Sequence, residues 1–113
     1  EGLEIPLRVP QTLMCAAYPP GAFYRRHLDS YQGRDIPRVL TILLYLAHEP
    51  ARAGQLRVHD PRPSGGKRDI APTPGRVVVF FAQEVYHEVL PSEGERLALT
   101  LWLWDYNKDD HGR

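Results

Sequence analysis

Short apolar runs separated by turn residues follow one another along the chain. Eleven prolines and nine glycines are spread among them, a pattern typical of strands joined by turns. No segment shows a sustained helical period with caps. We therefore predict eight β-strands: Thr12–Tyr18, Ala22–His27, Arg38–Ala47, Gln55–His59, Arg68–Ala71, Arg76–Phe81, His87–Leu90 and Arg96–Trp104.

Eight short strands predict an all-β fold, as a two-sheet jelly roll or a related barrel. The stretches "RVLTILLYLA" and "RVVVFF" are almost continuously apolar, so we expect both to be central strands covered on both faces. With 113 residues, the chain is long enough for one small core. We predict a single domain over 1–113, with its core at about 12–104.

The last predicted strand, "RLALTLWLW", has two faces of different character. One face carries four leucines, and the other carries Arg96, Ala98, Thr100, Trp102 and Trp104. The stretch "LTILLYLA" likewise places Thr41 and Tyr45 on one face. Two strands that offer polar groups within apolar surfaces predict a cavity with a few placed hydrogen-bonding groups.

Charge and cysteine content exclude several classes of protein. Lys plus Arg equal Asp plus Glu at 14 each, which argues against a nucleic-acid or membrane-surface protein. The single cysteine, Cys15, excludes an internal disulfide framework, and we expect it to be a small buried side chain. We expect a cytoplasmic protein. The chain starts at Glu1 without a methionine, so targeting signals cannot be judged.

The stretch "YRRHLDSYQGR" contains the strongest chemical signal. His27 and Asp29 are two residues apart, which places both on one face of a strand. The pair could be a structural couple, half of an acid–base device, or two ligands of a metal. Of the other histidines, His87 opens a strand and can point inward, and Arg96 follows nine residues later. Two histidines and one carboxylate form the metal site of non-haem Fe(II) oxygenases.

Several further motifs occur in a fixed order with this pair. They are Tyr18-Pro19-Pro20-Gly21, Tyr24-x-x-His27-x-Asp29, Arg38-x-x-Thr41-x-x-x-Tyr45-Leu46, Gly54-x-Leu56, Pro74-Gly75-Arg76, Phe80, His87-Glu88-Val89 and Gly94-Glu95-Arg96. From about Leu13 to Trp104, the chain resembles the Fe(II)- and 2-oxoglutarate-dependent dioxygenases, and within them the prolyl 4-hydroxylase-like branch. The resemblance implies a double-stranded β-helix fold.

The resemblance also implies a role for each matched residue. It makes His27, Asp29 and His87 the Fe(II) ligands, and it makes Arg96 and Tyr45 the partners of the distal carboxylate of 2-oxoglutarate. The remaining residues implied at the 2-oxoglutarate pocket are Tyr18, Thr41, Thr100 and Trp102. The reaction would convert 2-oxoglutarate and O2 to succinate and CO2 while hydroxylating a C–H bond, with ascorbate as a candidate reductant.

The substrate implied by the resemblance is a prolyl residue of a protein or peptide. The loop after Asp29 is placed to touch it, and we expect Arg34 and Arg38 to make those contacts. A free amino acid or a small metabolite stays open as substrate, and so does a non-catalytic or cupin-like metal-binding module.

The sequence departs from the family pattern at three places, one of which is Ala47 where the family usually has an asparagine after the Tyr-Leu pair. The helices that usually precede the first strand and support the larger sheet are almost absent, so they were removed, lie elsewhere in the protein, or were lost. The usual double glycine before the fourth strand is Ala53-Gly54.

Overall fold

The computed structural model describes residues 7–8, 13–30, 37–46, 53–94 and 96–105, and these residues contain no helix. Strands account for their regular structure. The strands are β1 (Leu7–Arg8), β2 (Met14–Tyr18), β3 (Tyr24–His27), β4 (Arg38–Tyr45), β5 (Leu56–His59), β6 (Lys67–Ile70), β7 (Val77–Phe81), β8 (Tyr86–Val89) and β9 (Arg96–Asp105).

The strands form two antiparallel sheets. The larger sheet has the order β1-β9-β4-β7, with β2 also paired to β9, and the smaller sheet has the order β3-β8-β5-β6. Strands adjacent in sequence therefore alternate between sheets at several points, as in a double-stranded β-helix or jelly roll. The predicted all-β jelly roll is confirmed.

The core lies between the two sheets and is built by alternation along the strands. In β9, Arg96, Ala98 and Thr100 are buried, whereas the leucines between them are only partly buried. The buried apolar side chains of the core come from both sheets: Leu43, Tyr45, Leu56, Phe80, Val89 and Ala98. The polar members of this inner face can form a site because apolar neighbours shield them from water.

The eight predicted strands are present with ends shifted by one or two residues where the structure describes them; Thr12 and Ala47 lie outside the described residues. The additional strand β1 pairs only Leu7 and Arg8 with the end of β9. Two residues are too few to give a period-two pattern, so the sequence carried no signal for β1.

Two expectations about burial are wrong. The run "RVVVFF" forms β7 at the end of its sheet, and Val77, Val79 and Phe81 are 55%, 54% and 41% exposed. Cys15 is exposed as well. Its partner across the ladder is Leu99 of β9, so it lies on the outer face of the sheet rather than in the core.

Two register irregularities occur beside the inner face. One lies in β3 between Tyr24 and His27, and the other lies in β4 between Arg38 and Leu40. Bulges of this kind change which side of a sheet a side chain faces. The irregularity in β4 accompanies an arginine that lines the cavity between the sheets.

Candidate metal centre and anion pocket

The two histidines of the candidate metal centre lie directly opposite each other on paired strands. His27 of β3 is the ladder partner of His87 of β8, and their ring centroids are 4.2 Å apart. His27 Nδ1 donates to the Arg25 carbonyl at 2.6 Å, and His87 Nδ1 donates to the Val85 carbonyl at 3.1 Å. Because both Nδ1 atoms donate to main-chain carbonyls, each ring has only its Nε2 left to bind a metal, which requires that this nitrogen carry no proton.

Asp29 completes the centre from two positions beyond the end of β3. Its Oδ1 lies 3.3 Å from His27 Nε2 and 3.2 Å from His87 Nε2. One ligand atom from each of the three side chains lies within 4.8 Å of the other two. This donor set, with two imidazoles and one carboxylate on one side, suits Fe(II) and leaves other coordination positions open.

Asp29 accepts hydrogen bonds at its other oxygen from two further strands. Thr41 Oγ1 donates to Oδ2 at 2.5 Å, and Trp102 Nε1 donates to the same atom at 3.2 Å. The strands β4 and β9 thus contribute to the orientation of a carboxylate that lies just after β3. Partners of this kind fix ligand geometry at metal centres.

The electrostatics of the centre favour a cation. Burial alone would raise the pKa of Asp29, but hydrogen bonds from His27, His87 and Thr41, together with the charge of His87, lower this pKa far below its ordinary value. Burial alone would lower the pKa of His27, but its contacts with Asp29 and the Arg25 carbonyl raise it. The carboxylate therefore stays ionised and attracts a positive partner.

Arg96 provides the opposite charge elsewhere in the same cavity. Its side chain is 2% exposed, and one guanidinium nitrogen donates to Tyr45 Oη at 3.1 Å. The Nε atom is buried without a hydrogen-bond partner, and no carboxylate among the described residues lies within ion-pair distance of Arg96. A buried guanidinium in this state has a large desolvation cost unless an anion binds it.

Two tyrosines border this guanidinium. The rings of Tyr18 and Tyr45 each lie with their centroid 4.9 Å from the central carbon of Arg96. Burial raises the pKa of Tyr18, and the nearby charge of Arg96 opposes that shift only in part. The Tyr18 phenol therefore keeps its proton at neutral pH and can donate a hydrogen bond.

One cavity of about 410 Å³ is lined by both the candidate metal ligands and Arg96. Nine of the residues predicted from the sequence line it: Tyr18, His27, Asp29, Arg38, Thr41, His87, Arg96, Thr100 and Trp102. Tyr45 is fully buried behind Arg96, and Arg34 lies outside the described residues. The cavity size is within the range of small-molecule sites.

Sequence reasoning missed several side chains of the cavity wall. The most prominent is Tyr24, whose ring centroid lies 4.2 Å from that of His27. Met14 and Ala16 also line the cavity, on the same face of β2 as Tyr18. The alternation Met14, Ala16, Tyr18 is a period-two signal that could have revealed them.

A family model supports this assembly of residues. The model described as the 2OG-Fe(II) oxygenase superfamily matches residues 13–104. The chain belongs to this superfamily. Its description implies Fe(II) and 2-oxoglutarate as cofactors, which fits both the donor set around Asp29 and the buried Arg96 guanidinium, whose Nε has no hydrogen-bond partner among the described residues.

Similar solved structures include prolyl hydroxylases. A Pseudomonas putida prolyl-4-hydroxylase is 44% identical with a TM-score of 0.72, covering 83% of this chain and 51% of its own. A Trichoplax adhaerens prolyl hydroxylase, bound to a hypoxia inducible factor oxygen degradation domain peptide, is 28% identical with a TM-score of 0.78, covering 92% and 48%. The chain thus spans about half the length of these relatives.

A more distant match concerns the fold alone. A cupin domain from Bordetella pertussis is 14% identical with a TM-score of 0.53, covering 90% of this chain and 98% of its own. This cupin domain and the chain therefore have the same general fold. None of the described residues forms a helix long and apolar enough to cross a membrane.

Proposed function

We propose that this chain acts as an Fe(II)- and 2-oxoglutarate-dependent dioxygenase that hydroxylates a prolyl residue of a protein. In the reaction, 2-oxoglutarate, O2 and the C–H bond give succinate, CO2 and the C–OH product. Two relatives support the choice of substrate: the Pseudomonas putida enzyme is a prolyl-4-hydroxylase, and the Trichoplax adhaerens enzyme binds a peptide.

The observation that carries the proposal is that one cavity contains both a set of candidate metal ligands and a buried arginine. The two histidines and Asp29 offer three ligand atoms for a cation, and Arg96 has a buried nitrogen without a partner. A keto-diacid fits both needs, because one end carries oxygens for a metal and the other end carries a carboxylate for a guanidinium. A zinc hydrolase or a simple metal-binding module would not need the buried arginine.

Each side chain has a distinct part in this mechanism. His27, Asp29 and His87 would hold the metal. Arg96 binds the distal carboxylate with charge-assisted hydrogen bonds. Tyr45 Oη accepts a hydrogen bond from Arg96, so the Tyr45 O–H stays available to donate to the same carboxylate. Iron and 2-oxoglutarate supply the oxidising chemistry when bound, and the protein supplies orientation and a shielded cavity.

The experiment measures 2-oxoglutarate turnover and product formation together. The iron-loaded protein is incubated with 2-oxoglutarate, O2 and cell lysate, and mass spectrometry then detects peptides, free amino acids and metabolites that have gained one oxygen. His87→Ala is the test variant, since His87 offers a metal ligand. His59→Ala is the matched control, because this histidine pairs with Glu88 at 2.9 Å and does not line the cavity.

We expect wild type and His59→Ala to consume 2-oxoglutarate only with Fe(II) and O2, and to oxidise peptides at proline. His87→Ala should lose both activities. Equal peptide oxidation by His87→Ala would refute the metal assignment. Oxygen gained at another residue, or only on a free amino acid or metabolite, would refute the prolyl substrate but not the dioxygenase.

A further inference from the structure

The two carboxylate oxygens of Asp29 have different contact partners. Oδ1 lies beside both histidine Nε2 atoms, whereas Oδ2 accepts from Thr41 and Trp102. A carboxylate can rotate about its Cβ–Cγ bond, and two donors on one oxygen oppose that rotation. The arrangement therefore presents Oδ1 alone to a metal.

The indole that makes one of these hydrogen bonds is itself held by an arginine. The guanidinium carbon of Arg38 lies 3.7 Å from the centroid of the Trp102 ring. One guanidinium nitrogen also donates to the main-chain carbonyl of Asp29 at 3.3 Å. A planar guanidinium stacks well on an indole face and restricts its tilt.

Arg38 is anchored through its main chain as well. Its N–H donates to Ser30 Oγ at 3.1 Å, and its carbonyl accepts from Gln83 Nε2 at 3.0 Å. Ser30 follows Asp29 in sequence, is 1% exposed, and donates its own N–H to the Ala82 carbonyl at 3.2 Å. The register irregularity after Arg38 accompanies its position on the inner face. This arginine is therefore fixed at main chain and side chain.

We propose that Thr41, Trp102 and Arg38 are positioning residues for Asp29, with Arg38 acting through the Trp102 indole. The inference rests on the proposed metal site and deepens it. It gives Arg38 a role separate from the predicted substrate contact, and it gives Thr41 and Trp102 a role separate from 2-oxoglutarate binding. The three residues determine how tightly and in what geometry a metal binds.

The test measures Co(II) binding, because Co(II) accepts the same nitrogen and oxygen donors and its visible absorption reports coordination geometry. Affinity is measured by calorimetric titration. Trp102→Phe keeps an aromatic ring but removes the indole N–H donor. Thr41→Val keeps the side-chain shape but removes the hydroxyl donor. We expect each to weaken Co(II) binding by about 10- to 100-fold and to shift the absorption bands. Thr41→Ser should bind within about threefold of wild type.

Arg38 is tested by a double-variant cycle. Arg38→Lys keeps the charge but loses the planar stack, and we expect it to weaken Co(II) binding by about 3- to 10-fold. If Arg38 acts through the indole donor, adding Arg38→Lys to Trp102→Phe should change affinity by less than about twofold. Full additivity of the two effects would overturn that route.

The control is Arg57→Lys, since Arg57 pairs with Asp69 and does not line the cavity. Thermal denaturation establishes that each variant is folded. If Trp102→Phe does not fold, the comparison of Thr41→Val with Thr41→Ser tests the role of the hydrogen-bond donors to Asp29. Wild-type Co(II) affinity in Arg38→Lys would overturn the role of the arginine. Wild-type Co(II) affinity and absorption in both Thr41→Val and Trp102→Phe would refute this inference alone. Failure of the wild-type protein to bind Co(II) would instead refute the proposed metal site.

Discussion

Arg96 is the side chain whose surroundings are most unusual for its chemistry. It is buried, its Nε has no hydrogen-bond partner, and Tyr45 Oη is its neutral neighbour. Isolated charges are rarely kept in such positions unless a ligand pairs with them. The energetic cost of this arginine in the free protein is consistent with a role in binding an anion.

Arg96→Lys should weaken 2-oxoglutarate binding by about 100-fold. An ammonium group keeps the charge but cannot form the bidentate pair of a guanidinium with a carboxylate. Calorimetric titration of 2-oxoglutarate into the Co(II)-loaded protein measures the change. Arg76→Lys is the control, because Arg76 is exposed and contacts the Ala71 carbonyl. An unchanged dissociation constant in Arg96→Lys would contradict this role.

Individual residues also show which features of the site the sequence predicts and which it does not. The two-residue spacing of His27 and Asp29 predicts a shared direction, because strand side chains alternate with period two. No local pattern predicts that Thr41 and Trp102 both donate to Asp29 Oδ2. That contact requires strands from both sheets to meet, which spacing along one strand does not describe.

Among the described residues, the segment before β5 contains the one non-glycine residue with a positive φ. Ala53 has φ +59° and Gly54 has φ +68°, both in the left-handed region. A Cβ added at Gly54 would lie 2.9 Å from Ser92 Cβ. Glycine suits both positions, but only one of them has it, so the alanine stores backbone strain.

Ala53→Gly should raise the free energy of unfolding by about 0.5–1 kcal/mol. Relief of the left-handed strain, about 1–2 kcal/mol, exceeds the entropy cost of a glycine in the unfolded chain. Gly54→Ala should lower the free energy of unfolding by at least about 1 kcal/mol, since it adds strain and a close contact with Ser92. Urea denaturation midpoints measure both changes.

Ala17→Gly is the matched control for this pair. Ala17 lies within the strand β2, away from the left-handed region, so glycine there should lower the free energy of unfolding by about 0.5–1 kcal/mol. The opposite signs of Ala53→Gly and Ala17→Gly separate backbone strain from a general effect of glycine. Destabilisation by both would contradict the strain at Ala53.

The strands themselves were more predictable than their order. β9 alternates between leucines and the inner face, and this alternation was readable in advance. The edge position of β7 could not be predicted, because its apolar run resembles that of a central strand. Which strand has a neighbour on both sides depends on the pairing of distant segments rather than on composition.

For the molecule as a whole, the larger sheet has an exposed apolar outer face. Val77, Val79 and Phe81 contribute to it from the edge strand β7. The family resemblance places supporting helices behind this sheet, and the described residues contain none. An exposed apolar edge strand favours self-association. Stability measurements on this chain therefore need a series of protein concentrations.

Ligand binding should stabilise the whole fold. With Co(II) present, 2-oxoglutarate at 100 times its dissociation constant should stabilise the protein by about 2.7 kcal/mol, which raises the unfolding temperature by about 10–20 °C. The gain arises because the ligand binds the folded protein, in which residues of both sheets form the cavity, and not the unfolded chain. Thermal denaturation with and without ligand measures the shift.

Glutarate is the control ligand, since it has both carboxylates but lacks the keto oxygen, and it should give a smaller shift. At the same 2-oxoglutarate concentration, Arg96→Lys should lose most of the stabilisation. An equal shift for wild type and Arg96→Lys would show that the ligand binds elsewhere.

We could predict the all-β class, the two faces of β9 and the candidate ligands from the order of residues alone. These features depend on local alternation and on side-chain chemistry, both of which a linear chain displays. Packing of the two sheets determines the rest. His27 and His87 become neighbours only through the β3–β8 ladder, and Arg96 becomes a buried cation without an anionic partner among the described residues. Contacts between distant segments and exclusion of water arise only when the chain closes on itself.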